Sequence, residues 1–346
     1  MKRAALLIAG AALPVLRSLN PELAHDLGLK GLQWMRPLWP ALEPSAGTAV
    51  RCFGLQFSHP LGLAAGFDKN GDYLDALGSL GFSHIELGTV TPRPQPGNPK
   101  PRMFRIPGDC ALINRMGFNN KGVDHLVSQL ARSRYAGIRG VSIGKNFDTP
   151  LADAHSDFVA CLRKVYPYAD YVAANVSSPN TARLRELQAP DGLQRILGSL
   201  LEERLALRQR HGRNVPLLVK IAPDLSAEQI SAIATELRAL APDGVIATNT
   251  TIDRSLIASS LAIAPSLAAE KGGLSGAPLH ALSVSVISQL RAELGADFPI
   301  IGVGGIVSAE NALATLRAGA NLLQVYTGFA YRGTVLIEEI MRALPT

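Results

Sequence analysis

Residues 171–181 read Tyr-Val-Ala-Ala-Asn-Val-Ser-Ser-Pro-Asn-Thr, and this stretch decides how the rest of the chain is interpreted. An apolar run typical of a buried strand, Tyr171 to Ala174, ends abruptly in amides, hydroxyls and a proline. Amides offer hydrogen-bond donors and an acceptor together, so they suit carboxylate or pyrimidine-like ligands. The alternative is a turn that caps the next helix, and a single copy of the pattern would favour it. The pattern, however, recurs along the chain.

Apolar runs with strand character alternate with helical patterns, which is the signature of a parallel sheet. The predicted strands are 61–65, 84–88, 140–144, 171–175, 217–221, 244–248, 299–303 and 322–326. The predicted helices lie near 73–80, 123–133, 152–166, 193–210, 227–240, 282–294 and 309–318. Ser226 and Gln229 form a capping-box pattern before one of these helices. Eight strand–helix units predict an α/β fold, a (β/α)8 TIM barrel with its active site at the carboxyl ends of the strands.

Polar residues and glycines follow the ends of the predicted strands. They are Gly66 and Lys69, Thr89, Ser142 and Asn146, Asn175 and Ser178, Lys220, Thr248 to Thr250, Gly304 and Gly305, and Tyr326 and Thr327. A single lysine would more often be solvated, whereas a ring of polar residues at one face indicates a ligand. The glycines after the seventh and eighth strands favour a phosphate cradle, which predicts a phosphate-bearing cofactor.

Composition excludes several classes of protein. The length of 346 residues fits one large domain with an appendage. The net charge of +6 favours anionic partners. No dense block of lysine and arginine and no nucleic-acid motif is present, so we expect no nucleic-acid partner. The 3 cysteines and 7 histidines lack metal-ligand spacing, which predicts no metal site and a reducing cytoplasm.

The N-terminal segment begins with Lys2-Arg3 and an apolar run from Ala4 to Leu16. As a helix this run would cover roughly 20 Å, short of the roughly 30 Å hydrocarbon core of a bilayer. A secretory signal is the alternative. Against cleavage, a second helix begins just beyond the run, with Asn20 as N-cap and Pro21 as its first residue.

This second helix carries an apolar surface with basic residues along its edges. Leu23, Leu27 and Trp34 lie near one face, and Leu29, Leu32 and Met35 broaden it; Arg17, Lys30 and Arg36 are cationic, and Trp39 lies beyond the far end. Two short amphipathic helices of this kind predict contact with a membrane interface, and packing on the chain's own domain is the alternative. Residues 41–47 are typical of a linker, so we expect helices over residues 1–44 and the barrel over residues 45–346.

The order of these motifs closely resembles dihydroorotate dehydrogenases of class 2, the membrane-associated, quinone-dependent form. The motifs run over essentially the whole chain. They are Gly62 to Lys69, Gly88 to Pro92, Asn114 to Asn119, Asn175 to Thr181, Lys220 to Asp224, Thr248 to Thr250, Gly273 to Gly276 and Gly302 to Gly305.

The resemblance implies one FMN per chain. Its contacts would come from Ala65, Gly66, Phe67, Asp68, Lys69, Thr89, Ser142, Asn175, Lys220, Thr248, Gly276, Gly305, Tyr326 and Thr327. Lys220 would lie by the pyrimidine edge of the flavin and stabilise the anionic reduced ring. The family usually has asparagine where this chain has Ser142, so we expect modestly weaker FMN binding and retained activity.

The resemblance also implies oxidation of (S)-dihydroorotate to orotate in pyrimidine biosynthesis. Substrate contacts would come from Lys69, Asn114, Arg115, Met116, Gly117, Phe118, Asn175, Asn180, Asn249 and Thr250. Ser178 would be the general base that removes a proton from C5, while C6 delivers hydride to flavin N5. Thr181, Phe118 and water would shape its surroundings. Class 1 relatives use cysteine here and lack the helical extension, so Ser178 and residues 1–40 indicate class 2.

The same resemblance implies a membrane quinone as the electron acceptor. His25, Arg105 and Tyr326 match polar positions along the family's quinone tunnel. We expect a monomer bound peripherally at the cytoplasmic face of the cell membrane. One alternative is a soluble class 1 enzyme that uses fumarate or NAD, and another is a catalytically silent barrel that binds a phosphorylated ligand.

Overall fold

The structure is a computed structural model that describes residues 14–36, 48–257, 265–267 and 269–345. The first apolar run through residue 13, Trp39, the predicted linker over residues 41–47 and the boundary between residues 44 and 45 lie outside these described residues. Within the four ranges, no helix is both long and apolar enough to cross a bilayer.

Eight parallel strands form a closed barrel, and they follow one another around it in chain order. The strands are β1 (Leu61–Leu63), β2 (His84–Val90), β3 (Ile138–Ile143), β4 (Tyr171–Asn175), β5 (Leu217–Ile221), β6 (Gly244–Ala247), β7 (Ile300–Val303) and β8 (Leu322–Val325). The ring closes where Val325 of β8 pairs with Leu63 of β1. The predicted TIM barrel and all eight of its strands are confirmed.

Helices cover the outside of the barrel. They are α1 (Pro21–Met35), α2 (Leu74–Gly78), α3 (Val123–Arg132), α4 (Ala154–Val165), α5 (Pro190–His211), α6 (Ala227–Leu240), α7 (His280–Leu294), α8 (Ala309–Arg317), α9 (Thr327–Arg332) and α10 (Thr334–Ala343). The predicted capping box of α6 is present. The backbone nitrogen of Gln229 donates to Ser226 Oγ, and the backbone nitrogen of Ser226 donates to Gln229 Oε1. The two C-terminal helices, α9 and α10, were not predicted.

Strand β4 illustrates why the strands read as continuous apolar runs. Tyr171 and Ala173 belong to the core inside the barrel, whereas Val172 and Ala174 belong to the core between strands and helices. Neighbouring side chains point to opposite faces of a strand. Because both faces are buried, every position is apolar until the strand ends.

A three-stranded antiparallel sheet lies outside the barrel. The strand Ala111–Asn114 lies in the middle, between Met103–Ile106 and Gly273–Gly276. The segment that follows β2 therefore forms a hairpin, and the distant strand Gly273–Gly276 adds to it. A second hairpin, Val50–Cys52 with Leu55–Phe57, packs Phe57 into the interior core.

Helix α1 packs on the barrel and also exposes an apolar face. The Asn20 side chain accepts hydrogen bonds from the amides of Glu22 and Leu23, so the predicted N-cap is confirmed. Leu29 is buried and Leu32 and Met35 pack against the core. By contrast, Leu23, Leu27 and Trp34 are exposed; Trp34 retains 86% of its accessible surface. Apolar side chains therefore occupy both the barrel-facing and the solvent-facing sides of α1.

Candidate active site

The residues at the carboxyl ends of the strands gather in one cleft. Lys69, Ser178, Lys220 and Asn249 come from the loops or ends of four different strands and all line it. The other predicted site residues that line it are Ala65, Gly66, Thr89, Asn114, Met116, Gly117, Phe118, Asn175, Asn180, Thr248, Thr250, Gly276, Gly305, Tyr326 and Thr327. The spatial convergence expected from the sequence is therefore confirmed.

Several lining residues were not among the predicted site residues. They are Ala64, Ser275, Leu279, Val303, Ile306 and Gln324, whereas Gly304 and Gly328, which also line the cleft, belong to the glycines predicted to form a phosphate cradle. The sequence could have indicated Gln324 as a site residue, because it is a polar residue inside the apolar strand Leu322–Val325. Ser275 lies within one of the quoted motifs. The others are apolar residues, which cannot be told from core residues in a barrel sequence.

An amide network lines one side of the cleft. Asn175 Nδ2 donates to Thr89 Oγ1 at 2.8 Å. Asn249 Nδ2 donates to Asn175 Oδ1 at 3.2 Å and to Ser177 Oγ at 3.0 Å. These bonds fix the orientation of both amides, which is what recognition of a planar ligand requires.

A second amide pair spans two distant segments. Asn180 Nδ2 donates to Asn114 Oδ1 at 3.1 Å. Asn180 Oδ1 and Thr250 Oγ1 are buried and have no hydrogen-bond partner among the described residues. Buried polar atoms are normally paired, so these two atoms indicate the place of a polar ligand.

Ser178 is buried in the cleft wall. Its Oγ accepts a hydrogen bond from the Asn180 amide nitrogen at 3.2 Å. Phe118 lines the same cleft, as expected, whereas Thr181 is buried and does not line it. Across the described ranges, no carboxylate or imidazole is hydrogen-bonded to Ser178. A proton leaving this hydroxyl would therefore pass to water.

Two lysines supply positive charge to the cleft. Lys69 Nζ donates to the Gly66 carbonyl at 2.9 Å. Burial, together with the nearby Arg102 charge, lowers the pKa of Lys69 to about 8, and Glu22 opposes this change. Burial also lowers the pKa of Lys220, against the opposing effect of the Glu86 carboxylate. Because a bound anion favours the charged form, each lysine is suited to hold one.

Polar groups continue into the barrel interior beneath the cleft. Glu86 is fully buried and accepts hydrogen bonds from Tyr171 Oη at 3.0 Å and Gln324 Nε2 at 2.9 Å. Gln324 also lines the cleft. Gln324 therefore connects the cleft to a buried carboxyl group in the barrel interior.

The opposite end of the cleft is built from glycines. Gly305 has a φ of +71°, and a Cβ there would lie 2.4 Å from the amide nitrogen of His280. Gly276 has a φ of +106°, and its Cβ would lie 2.2 Å from the Cys110 carbonyl oxygen. A side chain at either position would strike the protein's own backbone, so these positions require glycine. Both glycines also line the cleft. Gly305 follows β7, and the loops after the seventh and eighth strands of TIM barrels commonly bind phosphate groups.

Two predicted site residues direct their side chains to the surrounding structure. The Asp68 carboxylate accepts hydrogen bonds from the backbone amides of Asn70, Asp72 and Tyr73, and burial raises its pKa to about 6. Arg115 forms an ion pair with Glu270. Neither residue lines the cleft. Both hold loops whose neighbouring residues do line it.

Ser142 and Phe67 are also absent from the cleft lining. Ser142 is fully buried, and its Oγ lies 2.9 Å from Thr89 Oγ1. It therefore lies one side chain away from the cleft. Phe67 lies in the wall of a second, apolar cavity.

The apolar cavity of about 450 Å³ lies between α1 and the barrel. His25, Arg105 and Tyr326, the three predicted tunnel residues, all line it. Tyr326 lines the polar cleft as well. The remaining walls are largely aliphatic and aromatic, with contributions from Val15, Leu16, Ala24, Leu27, Leu29, Leu32, Met35, Leu80, Met103, Leu112, Phe329, Ala330 and Val335.

The wall between cleft and cavity carries neutral groups. Burial lowers the pKa of His25 to about 4, and Lys69 adds to this effect. Burial raises the pKa of Tyr326 to about 12. Neither side chain is therefore charged at neutral pH. No cluster of possible metal ligands occurs among the residues that the structure describes.

Comparison with known proteins identifies relatives over nearly the whole chain. A family model described as dihydroorotate dehydrogenase matches residues 48–346. A relative from Azoarcus sp. (strain BH72), named dihydroorotate dehydrogenase (quinone), is 50% identical over 96% of this chain and 97% of its own length. A relative of the same name from Chromobacterium violaceum is 52% identical over 95% of each chain.

The fold is also similar to solved structures. The crystal structure of the Eimeria tenella enzyme DHODH in complex with ferulenol has a TM-score of 0.83 and 36% identity, covering 95% of this chain and 93% of that chain. The ligand-free form from the same organism has a TM-score of 0.80 and 37% identity, covering 93% of each chain.

Proposed function

This chain belongs to the dihydroorotate dehydrogenase family, and from that premise we propose that it oxidises (S)-dihydroorotate to orotate in pyrimidine biosynthesis and passes the electrons to a membrane quinone. The observation that carries the proposal is the pairing of two cavities. A polar cleft with oriented amides, Lys69 and Ser178 adjoins an apolar cavity, and Tyr326 lines both. Relatives named as quinone-dependent enzymes support the choice of acceptor.

Dihydroorotate carries a carboxylate and a ring with alternating hydrogen-bond donors and acceptors. In the proposed arrangement Lys69 binds the carboxylate, because its ammonium group lies in the cleft and an anion favours its charged form. The amides of Asn114, Asn175, Asn180 and Asn249 bind the ring. The unpaired Asn180 Oδ1 and Thr250 Oγ1 gain partners from the same ligand.

Ser178 removes the proton at C5 of the substrate in this proposal. The Asn180 amide nitrogen donates to its Oγ, and this hydrogen bond stabilises negative charge on the oxygen as the hydroxyl gives up its own proton. The burial of Ser178 restricts the route for that proton to ordered water in the cleft.

The residues present fit FMN as the redox cofactor. Gly276 and Gly305 line the cleft with backbone that carries no side chain, and Thr89, Thr248 and Lys220 line it as well. When bound, FMN accepts two electrons from the substrate and gives them to the acceptor. The protonated Lys220 ammonium group would stabilise negative charge on a ligand in the cleft.

The acceptor is proposed to reach the site through the apolar cavity, past His25 and Arg105. A quinone tail suits walls of this composition, and the exposed Leu23, Leu27 and Trp34 on α1 suit a lipid interface. We place the protein at the cytoplasmic face of the cell membrane, bound peripherally as a monomer.

An absorbance spectrum followed by anaerobic titration with dihydroorotate tests this function. We expect a yellow protein whose visible flavin band bleaches with one equivalent of dihydroorotate and returns on addition of a short-chain ubiquinone. A colourless protein would favour a silent phosphate-binding barrel instead. Reoxidation by fumarate or NAD in place of the quinone would favour a class 1 enzyme.

A further inference from the structure

One turn of α1 makes two polar contacts with the barrel close to the cleft. Glu22 accepts from Arg102 Nη2 at 2.7 Å, and His25 Nε2 lies 2.8 Å from the Phe67 carbonyl oxygen. Residues three apart on a helix lie on the same face. One face of α1 therefore contacts two separate segments of the barrel.

Arg102 transmits the first contact to a loop. Its side chain is only 6% exposed. Besides Glu22, it donates from Nη1 to the carbonyls of Pro96 at 2.7 Å and Asn98 at 2.9 Å. A buried guanidinium with all its partners fixed holds those partners in one arrangement. The loop over residues 96–98 is therefore tied to α1.

Asn98 continues this connection to the substrate-binding residues. Its Nδ2 donates to the Arg115 carbonyl at 2.9 Å and to the Asn180 carbonyl at 3.3 Å. Asn180 Nδ2 donates to Asn114 Oδ1, and the backbone nitrogen of Asn180 donates to Ser178 Oγ. A continuous series of hydrogen bonds therefore runs from Glu22 to the wall that holds the proposed base.

The second contact reaches the opposite wall. Phe67, whose carbonyl meets His25, lies between Gly66 and Lys69, and Lys69 Nζ donates to the Gly66 carbonyl. Both walls of the substrate cleft are thus connected to the same turn of α1.

We propose that Glu22 and Arg102 form a brace through which the seating of helix α1 sets the affinity of the cleft for dihydroorotate and orotate. The inference rests on the function proposed above and adds to it, because it makes α1 part of the substrate half-site as well as of the quinone half-site. Glu22 and Arg102 are positioning residues, since neither lines the cleft.

The two charges of the brace also affect the pKa of Lys69. The charged and titratable groups that act on Lys69 are Arg102, Glu22, Asp68, Asp26 and His25. Arg102 lowers the pKa of Lys69, and Glu22 raises it. Removing the Glu22 charge leaves Arg102 uncompensated, so Glu22→Gln lowers the pKa of Lys69. Removing the Arg102 charge, as in Arg102→Gln, raises it.

The test measures the affinity of the FMN-loaded, full-length protein for orotate from its perturbation of the flavin spectrum, across a range of pH. We expect Glu22→Gln to weaken orotate binding about 10-fold, the value of one charge-assisted hydrogen bond. We also expect it to raise KM for dihydroorotate in the same proportion, while the rate of quinone reduction by the prereduced enzyme stays within about 2-fold.

Orotate binding should weaken at alkaline pH as Lys69 loses its proton. The pH at which this weakening occurs should be lower in Glu22→Gln and higher in Arg102→Gln than in the wild type. A merely structural loosening would move both variants the same way. Lys100→Met is the matched control, because Lys100 also contacts Glu22 at 3.2 Å but is 66% exposed; it should behave as the wild type. If Glu22→Gln folds poorly, Glu22→Asp takes its place in the test. It keeps the charge and should bind orotate with an affinity close to that of the wild type.

Equal orotate affinity in wild type and Glu22→Gln, or pH shifts of the same sign in the two charge-removal variants, would overturn the brace. Failure of the proposed function appears differently. In that case the wild-type protein itself neither binds orotate nor is reduced by dihydroorotate.

Discussion

Replacement of Ser178 by alanine tests the proposed chemistry most directly. The side chain is buried in the cleft wall, and its one hydrogen bond within the described structure comes from the Asn180 amide nitrogen. A positioned general base contributes about 10²- to 10⁴-fold to a rate. This corresponds to about 3–5 kcal/mol of activation free energy. No neighbouring carboxylate or imidazole is bonded to Ser178 in the described ranges, so we expect the full loss.

The assay is the anaerobic rate of flavin bleaching in a single turnover with dihydroorotate. This measurement isolates the first half-reaction from quinone reduction. The FMN content and orotate affinity of Ser178→Ala should change little, because the neighbouring amides and Lys69 remain. Ser178→Cys is the informative companion, since a thiol ionises more readily than a hydroxyl. We expect Ser178→Cys to bleach faster than Ser178→Ala, and its rate to reach a plateau at lower pH than that of the wild type.

A bleaching rate for Ser178→Ala within about 3-fold of the wild-type rate would refute the assignment of the base. Thr250 would then be the next candidate, because its Oγ1 is buried without a partner among the described residues. Thr250→Val serves as the control for that outcome. Under the present assignment it weakens substrate binding and leaves the rate at saturating dihydroorotate nearly unchanged.

Three further predictions concern the cofactor, the pH response and the membrane. Ser142→Asn should tighten FMN binding measured by dialysis, because the longer amide extends past Thr89 towards the cleft; unchanged or weaker binding would contradict it. The pKa of His25 falls from 6.5 to about 4 on folding, so between these pH values the unfolded chain binds a proton that the folded protein does not. The free energy of unfolding should therefore be highest above pH about 6.5 and decrease as the pH falls towards 4. The loss should reach about 3 kcal/mol in unfolding titrations, and His25→Gln should not show it. Trp34→Ser with Leu23→Ser should reduce sedimentation with anionic vesicles several-fold without changing turnover of a soluble quinone, because neither residue lines the apolar cavity; undiminished sedimentation would argue against α1 as the lipid contact.

The barrel could be predicted because each of its strands and helices is marked by a pattern of neighbouring residues in the sequence. Each strand is buried on both faces, so it appears as a continuous apolar run that ends where the cleft begins. The bounds of β4, Tyr171–Asn175, and of α6, Ala227–Leu240, agree with those expected from the pattern. The capping box gave the start of α6 directly, because both of its hydrogen bonds lie within four residues of the chain.

Long-range pairing could not be predicted in the same way. The strand Gly273–Gly276 has two glycines in four residues, so it has little intrinsic strand preference. It exists because Asn114 and its neighbours pair with it. In the sequence Glu22 is simply an acidic residue in the first turn of α1, a common position for one. Its partner Arg102 lies in another segment, which no local pattern specifies.

The direction of side chains limited prediction of the site. The segment Gly66 to Lys69 was expected to bind the cofactor as a whole, yet its members point to different places. Gly66 and Lys69 line the cleft, Phe67 lines the apolar cavity, and the Asp68 carboxylate bonds the following loop. A sequence motif marks the segment that approaches a ligand, and the backbone conformation then decides which side chains reach it.

This division within one segment has a functional consequence for the proposed reaction. The two half-reactions need different surroundings, since dihydroorotate is a polar anion and a membrane quinone is a neutral apolar molecule. Gly66 belongs to the polar side and Phe67 to the apolar side, and Tyr326 lines both. His25 and Tyr326 stay uncharged at neutral pH because burial lowers the pKa of one and raises that of the other. The cavity therefore stays suited to a neutral acceptor beside the cationic Lys69, while α1 is connected to both walls of the cleft through Arg102 and Phe67.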